Sequence, residues 1–227
     1  MAHLKRLAMP ATWPVERKKT VWITTPLPSG HPRKFCMPIN LILRNILQIT
    51  KSTHETKKLL ANEEVLVDDR RIKDYKEAIG LFDILSIPSL RKTYTLILTT
   101  RNQLKLIQIP NTEEKLERIR SKKVVKDGKV QLTFHDGRNV IADNNYKVND
   151  SVLFDLKQKK ITKHLPLAEG AIVYVISGKK TGSIGKFEAR RGKFATVNFD
   201  QEKREILVEN LFVINQQWAK IIEENNK

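Results

Sequence analysis

The stretch Met37-Pro38-Ile39-Asn40-Leu41-Ile42-Leu43-Arg44-Asn45-Ile46-Leu47-Gln48-Ile49, followed by Ser52-Thr53-His54-Glu55, decides the fold. Pro38 opens a helical pattern at Ile39. Leu41, Ile42, Ile46, Leu47 and Ile49 fit one apolar face, with Arg44 on the other side. After a polar break, Ser52 and Glu55 form an S-x-x-E capping box, which satisfies orphan amides at a helix start. A second helix is therefore expected to about Asn62, with Leu59 and Leu60 apolar and Lys57 and Lys58 beside them. The pair leads straight into β-prone sequence. Val65-Leu66-Val67 reads as a short strand and Asp68-Asp69-Arg70-Arg71 as a tight hairpin turn that carries no glycine. Residues 82–87 and 94–99 read as further strands.

Toward the C-terminus the chain reads mostly as β. Residues 104–109 are apolar and stop at Pro110, after which Asn111 or Thr112 can cap a short charged helix through Arg120. Lys126-Asp127-Gly128-Lys129 and His135-Asp136-Gly137-Arg138 are Asp-Gly turns, with Val130, Leu132 and Phe134 alternating between them. Residues 152–156 form the next strand. Residues 171–176 are continuously apolar, and Gly178, Gly182 and Gly185 punctuate the loop that follows. The turn Arg190-Arg191-Gly192 and strands at 194–199 and 206–208 complete a small antiparallel barrel. Residues 216–224 predict a closing helix, with Trp218, Ile221 and Ile222 on one side.

Toward the N-terminus lies a segment of another kind. Lys5, Arg6, Arg17, Lys18, Lys19, Arg33 and Lys34 stand there against one acid, Glu16, with Trp13 and Trp22 between the clusters. Five prolines break any helix, and no apolar period runs through it. Such a segment is expected to be disordered when free and to lie along a polyanion, cations on phosphates and indoles on bases or sugars. Deleting it, up to Lys34, is expected to leave the rest folded. Two plainer readings stand beside this one: a cationic tail without a specific partner, and tryptophans that anchor the segment on the protein's own core.

The whole chain of 227 residues carries a formal net charge of +17, which an anionic partner would relieve. Its length suits two or three small domains. No apolar run is long enough to span a bilayer or to serve as a signal peptide, so a cytosolic location is expected. Cys36 is the only cysteine, and His3, His31, His54, His135 and His164 are scattered, so no metal and no cofactor are expected.

The candidate contacts follow the charge. Arg44, Lys51, Lys57 and Lys58 on the helices and Arg70 and Arg71 in the turn can form one basic surface, or a merely solvated face. Lys179, Lys180 and Lys186 surround the glycine loop, and Arg190 and Arg191 sit in the next turn. The loop is not a phosphate-binding P-loop: Lys180 stands where its first glycine should be, and Phe187 replaces the hydroxyl residue. Its glycines are expected to allow tight turns and close backbone approach to RNA. Asp68, Asp69 and Asp136 sit in turns, where Asp caps its own backbone, and nothing pairs them with a nucleophile. His135 beside Asp136 reads as a hairpin residue, and Cys36 as an ordinary thiol.

Taken together, Leu4-Lys5-Arg6, Pro10-Ala11-Thr12-Trp13-Pro14, Arg17-Lys18-Lys19, Trp22 and Pro28-Ser29-Gly30-His31-Pro32 resemble the N-terminal signature of the S4e family of small-subunit ribosomal proteins. The resemblance continues in order along nearly the whole chain. It implies a mostly β α+β fold: an extended basic N-terminal arm (1–36), an S4-type RNA-binding domain of two helices on a small sheet (37–99), a central β domain (100–165), a KOW barrel of SH3-like type (166–214) and a C-terminal helix or tail (215–227). It implies a non-enzymatic constituent of the small ribosomal subunit whose partners are small-subunit rRNA and neighbouring ribosomal proteins, with neither membrane nor homo-oligomer. Its basic motifs carry over to Lys5, Arg6, Trp13, Arg17, Lys18, Lys19, Arg44, Lys57, Lys179, Lys180 and Lys186. An RNA-modifying enzyme that uses the S4-type domain as a clamp, or a transcription-associated KOW protein, are the alternatives.

Overall fold

The computed structural model describes residues 3–62, 65–110, 114–125, 128–199 and 202–226. The chain forms two units: Met1–Leu98 with Asn102–Thr112, and Thr99–Arg101 with Glu113–Lys227.

In the first unit, β1 (Leu4–Lys5) pairs antiparallel with β2 (Trp22–Ile23), so the N-terminal segment folds back on itself. Leu4, Met9, Trp13 and Ile23 are all buried. The Thr12 hydroxyl donates to Lys34 O at 2.7 Å, and Leu104 N–H donates to Thr12 O at 2.7 Å. This corrects the expectation of an extended arm free of the protein. The apolar residues are spaced without a period because an irregular chain buries them one at a time.

Next come β3 (Cys36–Pro38) and α1 (Ile39–Leu41), which passes into a π-helical turn, Ile42–Ile46, marked by Leu47 N–H donating to Ile42 O at 2.9 Å. The run stops where Gln48 turns left-handed (φ 54°) and Ile49 N–H returns to Leu43 O at 2.9 Å, which satisfies one of the run's last carbonyls. In α2 (Thr53–Asn62), Glu55 N–H donates to Ser52 Oγ at 3.2 Å, as the capping box requires. The Glu55 carboxylate accepts from Lys51 N–H at 2.6 Å, one residue earlier than the standard box.

The hairpin of β4 (Leu66–Val67) and β5 (Arg70–Arg71) turns on Asp68 and Asp69, at φ 50° and 62°. Asp tolerates this left-handed backbone without a glycine, and Asp68 Oδ1 accepts from Ile84 N–H at 2.9 Å. β6 (Ala78–Gly80) pairs with β3. β7 (Ile84–Ile87), β8 (Lys92–Leu98) and β9 (Leu104–Ile109) complete a five-stranded sheet in the order β5-β4-β7-β8-β9. Its core includes Met37, Ile39, Leu41, Ile42, Leu60, Ile72 and Phe82.

The second unit departs from expectation at its start. Asn111 and Thr112 lie outside the described residues, and the predicted helix through Arg120 is instead the strand β10 (Glu114–Val124). Lys115 and Glu117 are fully buried on it. Charged residues that looked like a solvated helix face are neutralised across the sheet, and these tertiary contacts override local propensity. β11 (Val130–Phe134), β12 (Asn139–Ala142), β13 (Ser151–Asp155) and β14 (Lys160–Leu165) join it in the order β12-β11-β10-β13-β14. Val130, Leu132 and Phe134 are buried in alternation, as read from sequence. Of the first Asp-Gly turn, Lys126 and Asp127 lie outside the described residues. Gly137 of the second has φ 90°.

β15 (Ile172–Val175), β16 (Ile184–Arg191), β17 (Phe194–Phe199), β18 (Glu202–Leu207) and β19 (Leu211–Val213) form the other five-stranded sheet, β18-β17-β16-β15-β19. Val173, Val175, Phe187, Val197, Val208 and Leu211 lie in its core. Asn215 caps α3 (Gln216–Asn225) by accepting from Trp218 N–H at 2.8 Å, and Trp218 and Ile222 are buried while Ile221 is half-buried.

Candidate nucleic-acid interface

The structure sorts the predicted cations into exposed and committed groups. Lys5, Arg17, Lys18, Lys19, Arg33, Lys34, Lys51, Lys57 and Lys58 are exposed in the first unit, and Lys179, Lys186, Arg190 and Arg191 in the second. Arg17 reaches Met9 O at 3.4 Å, and Lys34 lies over the Phe35 ring at 4.4 Å. Exposed positive charge of this density attracts phosphate by Coulomb interaction and by release of counterions.

Other cations are partly engaged. Arg44 is half-buried, its Nη1–H donating to Thr53 Oγ1 at 3.1 Å. Arg70 pairs with Glu77, and Arg71 donates to Ala61 O at 3.1 Å, though both stay exposed. Lys180 lies 2.5 Å from Glu202, which also meets Arg204 at 2.7 Å. Hydrogen bonds from Arg204 and then Lys180 hold the Glu202 carboxyl down at about 2. Arg190 bends back to Gly192 O at 2.9 Å.

Two predicted contacts are corrected. Trp13 is 2% exposed, and its Nε1–H donates to Cys36 O at 2.8 Å, so no face of its indole is open to a base. Arg6 is 3% exposed; its guanidinium holds Glu16 O and, at 2.9 Å, Thr20 Oγ1. Both side chains shape the N-terminal segment from inside. The glycine loop also differs from expectation. A Cβ on Gly182 would sit 2.3 Å from Thr99 C, and one on Gly185 2.6 Å from Val197 Cγ1. These two glycines admit the protein's own atoms, whereas Gly178 is open (φ 109°).

Sequence reading missed a buried ionic cluster. Lys115 Nζ lies 2.8 Å from Glu117 Oε1 and 3.0 Å from Asp136 Oδ2, while His135 Nδ1 lies 2.7 Å from Glu117 Oε2. Arg138 Nε closes the cluster on Asp136 Oδ2 at 3.0 Å. Burial alone would raise the Glu117 carboxyl, but the charges of Lys115 and His135 outweigh it and hold it well below the carboxylate range. Asp136 moves the other way, raised by burial and by the charge of Glu117. The cluster is closed, with Lys115 and Glu117 inaccessible, so it braces the sheet and offers no entry to a substrate. Its signal was the Lys115-x-Glu117 spacing, period two on a strand, which a helical reading scatters.

Burial also pushes the Cys36 thiol up to about 11, which leaves it inert. Among the described residues no group of three or more His, Cys, Asp or Glu side chains could hold a metal ion, and no helix is long and apolar enough to cross a membrane.

The fold agrees with comparisons to known proteins. Residues 90–161 match the family model of ribosomal family S4e. The small ribosomal subunit protein eS4 of Methanocella arvoryzae is 39% identical over 184 residues, spanning 81% of this chain and 79% of that protein. The chain belongs to the S4e family. The eS4 protein of Methanocaldococcus jannaschii extends the match to 95% of this chain and 94% of its own length, at 33% identity. The crystal structure of the 30S ribosomal protein S4e from Thermoplasma acidophilum superposes with a TM-score of 0.65 at 26% identity, covering 79% of this chain and 95% of that one. The mostly β α+β fold is thus that of S4e.

Proposed function

We propose that this chain is a structural constituent of the small ribosomal subunit that binds its rRNA. The observation that carries the reading is S4e membership along nearly the full length of the eS4 relatives. The exposed cations of both units supply the physical means, since they face solvent where phosphates can reach them. The helix pair on its sheet supports an S4-type RNA-binding role for residues 37–99. The sheet β18-β17-β16-β15-β19 supports a KOW-type role for 166–214, and the sheet β12-β11-β10-β13-β14 supports a central β domain within 100–165. The N-terminal segment binds RNA as a folded basic surface, with Lys18, Lys19, Arg33 and Lys34 outward. Its partners are small-subunit rRNA and the adjacent ribosomal proteins, in the cytoplasm, and its role is binding without catalysis.

Sucrose-gradient fractionation tests the reading. The protein is expected in the small-subunit and polysome fractions, and to remain there after gradient repurification. Purified small subunits that lack it would overturn the proposal.

A further inference from the structure

Trp22 stands apart from the other tryptophans. It is 55% exposed, whereas Trp13 and Trp218 are 2% and 6% exposed. A tryptophan that open on a folded surface forgoes most of the stabilisation its burial would give.

Trp22 walls a cleft of about 340 Å³ within the first unit, a size in the usual range for small-ligand sites (~300–1,000 Å³). Arg44, Thr24, Thr53, Tyr75 and Lys76 line it too, with Leu4 and Ile23 as its apolar part. The His3 ring leans on the indole at 5.7 Å between centroids. Lys57 and Lys76 flank the Tyr75 ring, at 4.7 and 5.6 Å.

Arg44 and Lys76 are pure donors in this cleft, and its threonine hydroxyls can donate as well. Asn40, fully buried, donates from Nδ2 to Thr24 Oγ1 at 2.7 Å and to Thr53 Oγ1 at 3.2 Å. A hydroxyl that accepts still carries its own proton, so Thr24 and Thr53 each have one to give. Arg44 commits Nε–H to Asn45 Oδ1 at 3.2 Å and Nη1–H to Thr53 Oγ1 at 3.1 Å, two of the five N–H groups of a guanidinium. Among the described residues, no carboxylate lines the cleft. An occupant that satisfies these groups is anionic, rich in acceptors, and has a flat face for an indole.

We propose that this cleft receives one unstacked nucleotide of RNA, its base on Trp22 and its phosphate on Arg44 and Lys76. The inference rests on the RNA-binding reading above and adds a single-nucleotide pocket to it. Aromatic stacking on an extruded base, with phosphate held by cations, is the chemistry by which proteins grip unpaired RNA.

Tryptophan fluorescence of the full chain tests it, because Trp22 is the exposed indole. Titration with a single-stranded RNA decamer is expected to quench the emission, and a duplex of equal charge is not. Trp22→Ala is expected to weaken decamer binding roughly tenfold or more, as loss of one stacked base does, and Trp22→Phe to restore most of it. Circular dichroism of Trp22→Ala verifies that the fold is kept, and Lys76→Ala provides a second variant with a smaller loss that disappears at high salt. Unchanged decamer affinity in Trp22→Ala, with no quenching in the parent, overturns the pocket and leaves the ribosomal reading standing if rRNA still binds with steep salt dependence. A parent protein that binds no rRNA overturns both. Adenosine or uridine monophosphate alone binding as tightly as the decamer would make this a free-nucleotide site and refute the RNA assignment.

Discussion

The indole Nε1 of Trp13 donates to the carbonyl oxygen of Cys36 at 2.8 Å, in a buried contact that spans 23 positions of the chain. It ties the N-terminal segment to the first residue of β3, next to the helix pair. The cations between these two residues are therefore carried on a segment fixed at both ends. Such a surface binds without paying the ordering entropy of a loose tail.

Trp13→Ala should destabilise the first unit by about 3–5 kcal/mol, the usual cost of emptying a large buried aromatic site. Trp13→Phe should cost less but still leave Cys36 O without its donor, about 1–3 kcal/mol. Deleting residues 1–34 should also lower stability, because it removes Leu4, Met9, Trp13 and Ile23 from the core. Urea unfolding measures all three. Equal midpoints for the parent and the deletion would return the segment to the status of a free arm.

Gly80→Ala should dislodge His31. A Cβ at Gly80 would stand 2.2 Å from His31 Cγ, so the imidazole lies flat against a backbone that only glycine allows. His31 Nε2 meets Asp83 Oδ1 at 3.2 Å, and Asp83 Oδ2 accepts from Gly80 N–H at 2.6 Å. The added methyl separates the Pro28-Ser29-Gly30-His31-Pro32 loop from this knot, at a cost of about 1–3 kcal/mol. Hydrogen exchange should speed up in the N-terminal segment while the sheet of the second unit stays protected. A uniform change across both units would contradict this.

The helix pair, the hairpin at Asp68-Asp69 and the alternating strand Val130–Phe134 were legible because local pattern and tertiary environment agree there. The N-terminal segment was not, because buried residues on an irregular backbone have no period to read. β10 was not either: Lys115 and Glu117 look solvated until His135 and Asp136, distant in sequence, come to neutralise them. For the interface, the sequence identified the cations but not their accessibility. Arg6 and Lys18 look alike as letters, and only the fold turns one inward.

Acid should unfold the second unit partly through Glu117. Its folded-state pKa lies below the ordinary 4.5, so its stabilising contribution is fully present above that value and is lost as pH falls below it. Asp136, raised in the fold, works in the opposite sense and gains as pH falls. Glu117→Gln leaves buried Lys115 with Asp136 as its remaining carboxylate partner and should cost about 1–3 kcal/mol at pH 7. Its urea midpoint should also vary less between pH 5 and pH 3 than that of the parent. Parallel acid profiles would remove Glu117 from this role.

Cys36 should resist thiol reagents. The side chain is buried, and burial raises its pKa to about 11, so the thiolate fraction at neutral pH is very small. Ellman's reagent should react only after urea unfolds the first unit, and the rate should track the unfolded fraction. Prompt reaction in native buffer would mean that β3 opens locally.

Exposed and buried cations should separate in salt titrations against small-subunit rRNA. Each phosphate that a protein neutralises contributes about 0.7–0.9 to the slope of log affinity on log salt. Lys18→Ala, Lys19→Ala, Lys57→Ala and Lys58→Ala remove exposed charges, so each that touches a phosphate should flatten the slope by about that amount and leave the urea midpoint unchanged. Arg6→Gln should do the reverse. Its guanidinium holds Glu16 O and Thr20 Oγ1 inside the segment, so its loss should lower stability and leave the slope of the folded protein alone. The contrast is informative because all five substitutions remove one positive charge. If net charge alone governed binding, Arg6→Gln and Lys18→Ala would shift the slope equally; if the fold selects which cations meet phosphate, only the lysine substitutions will.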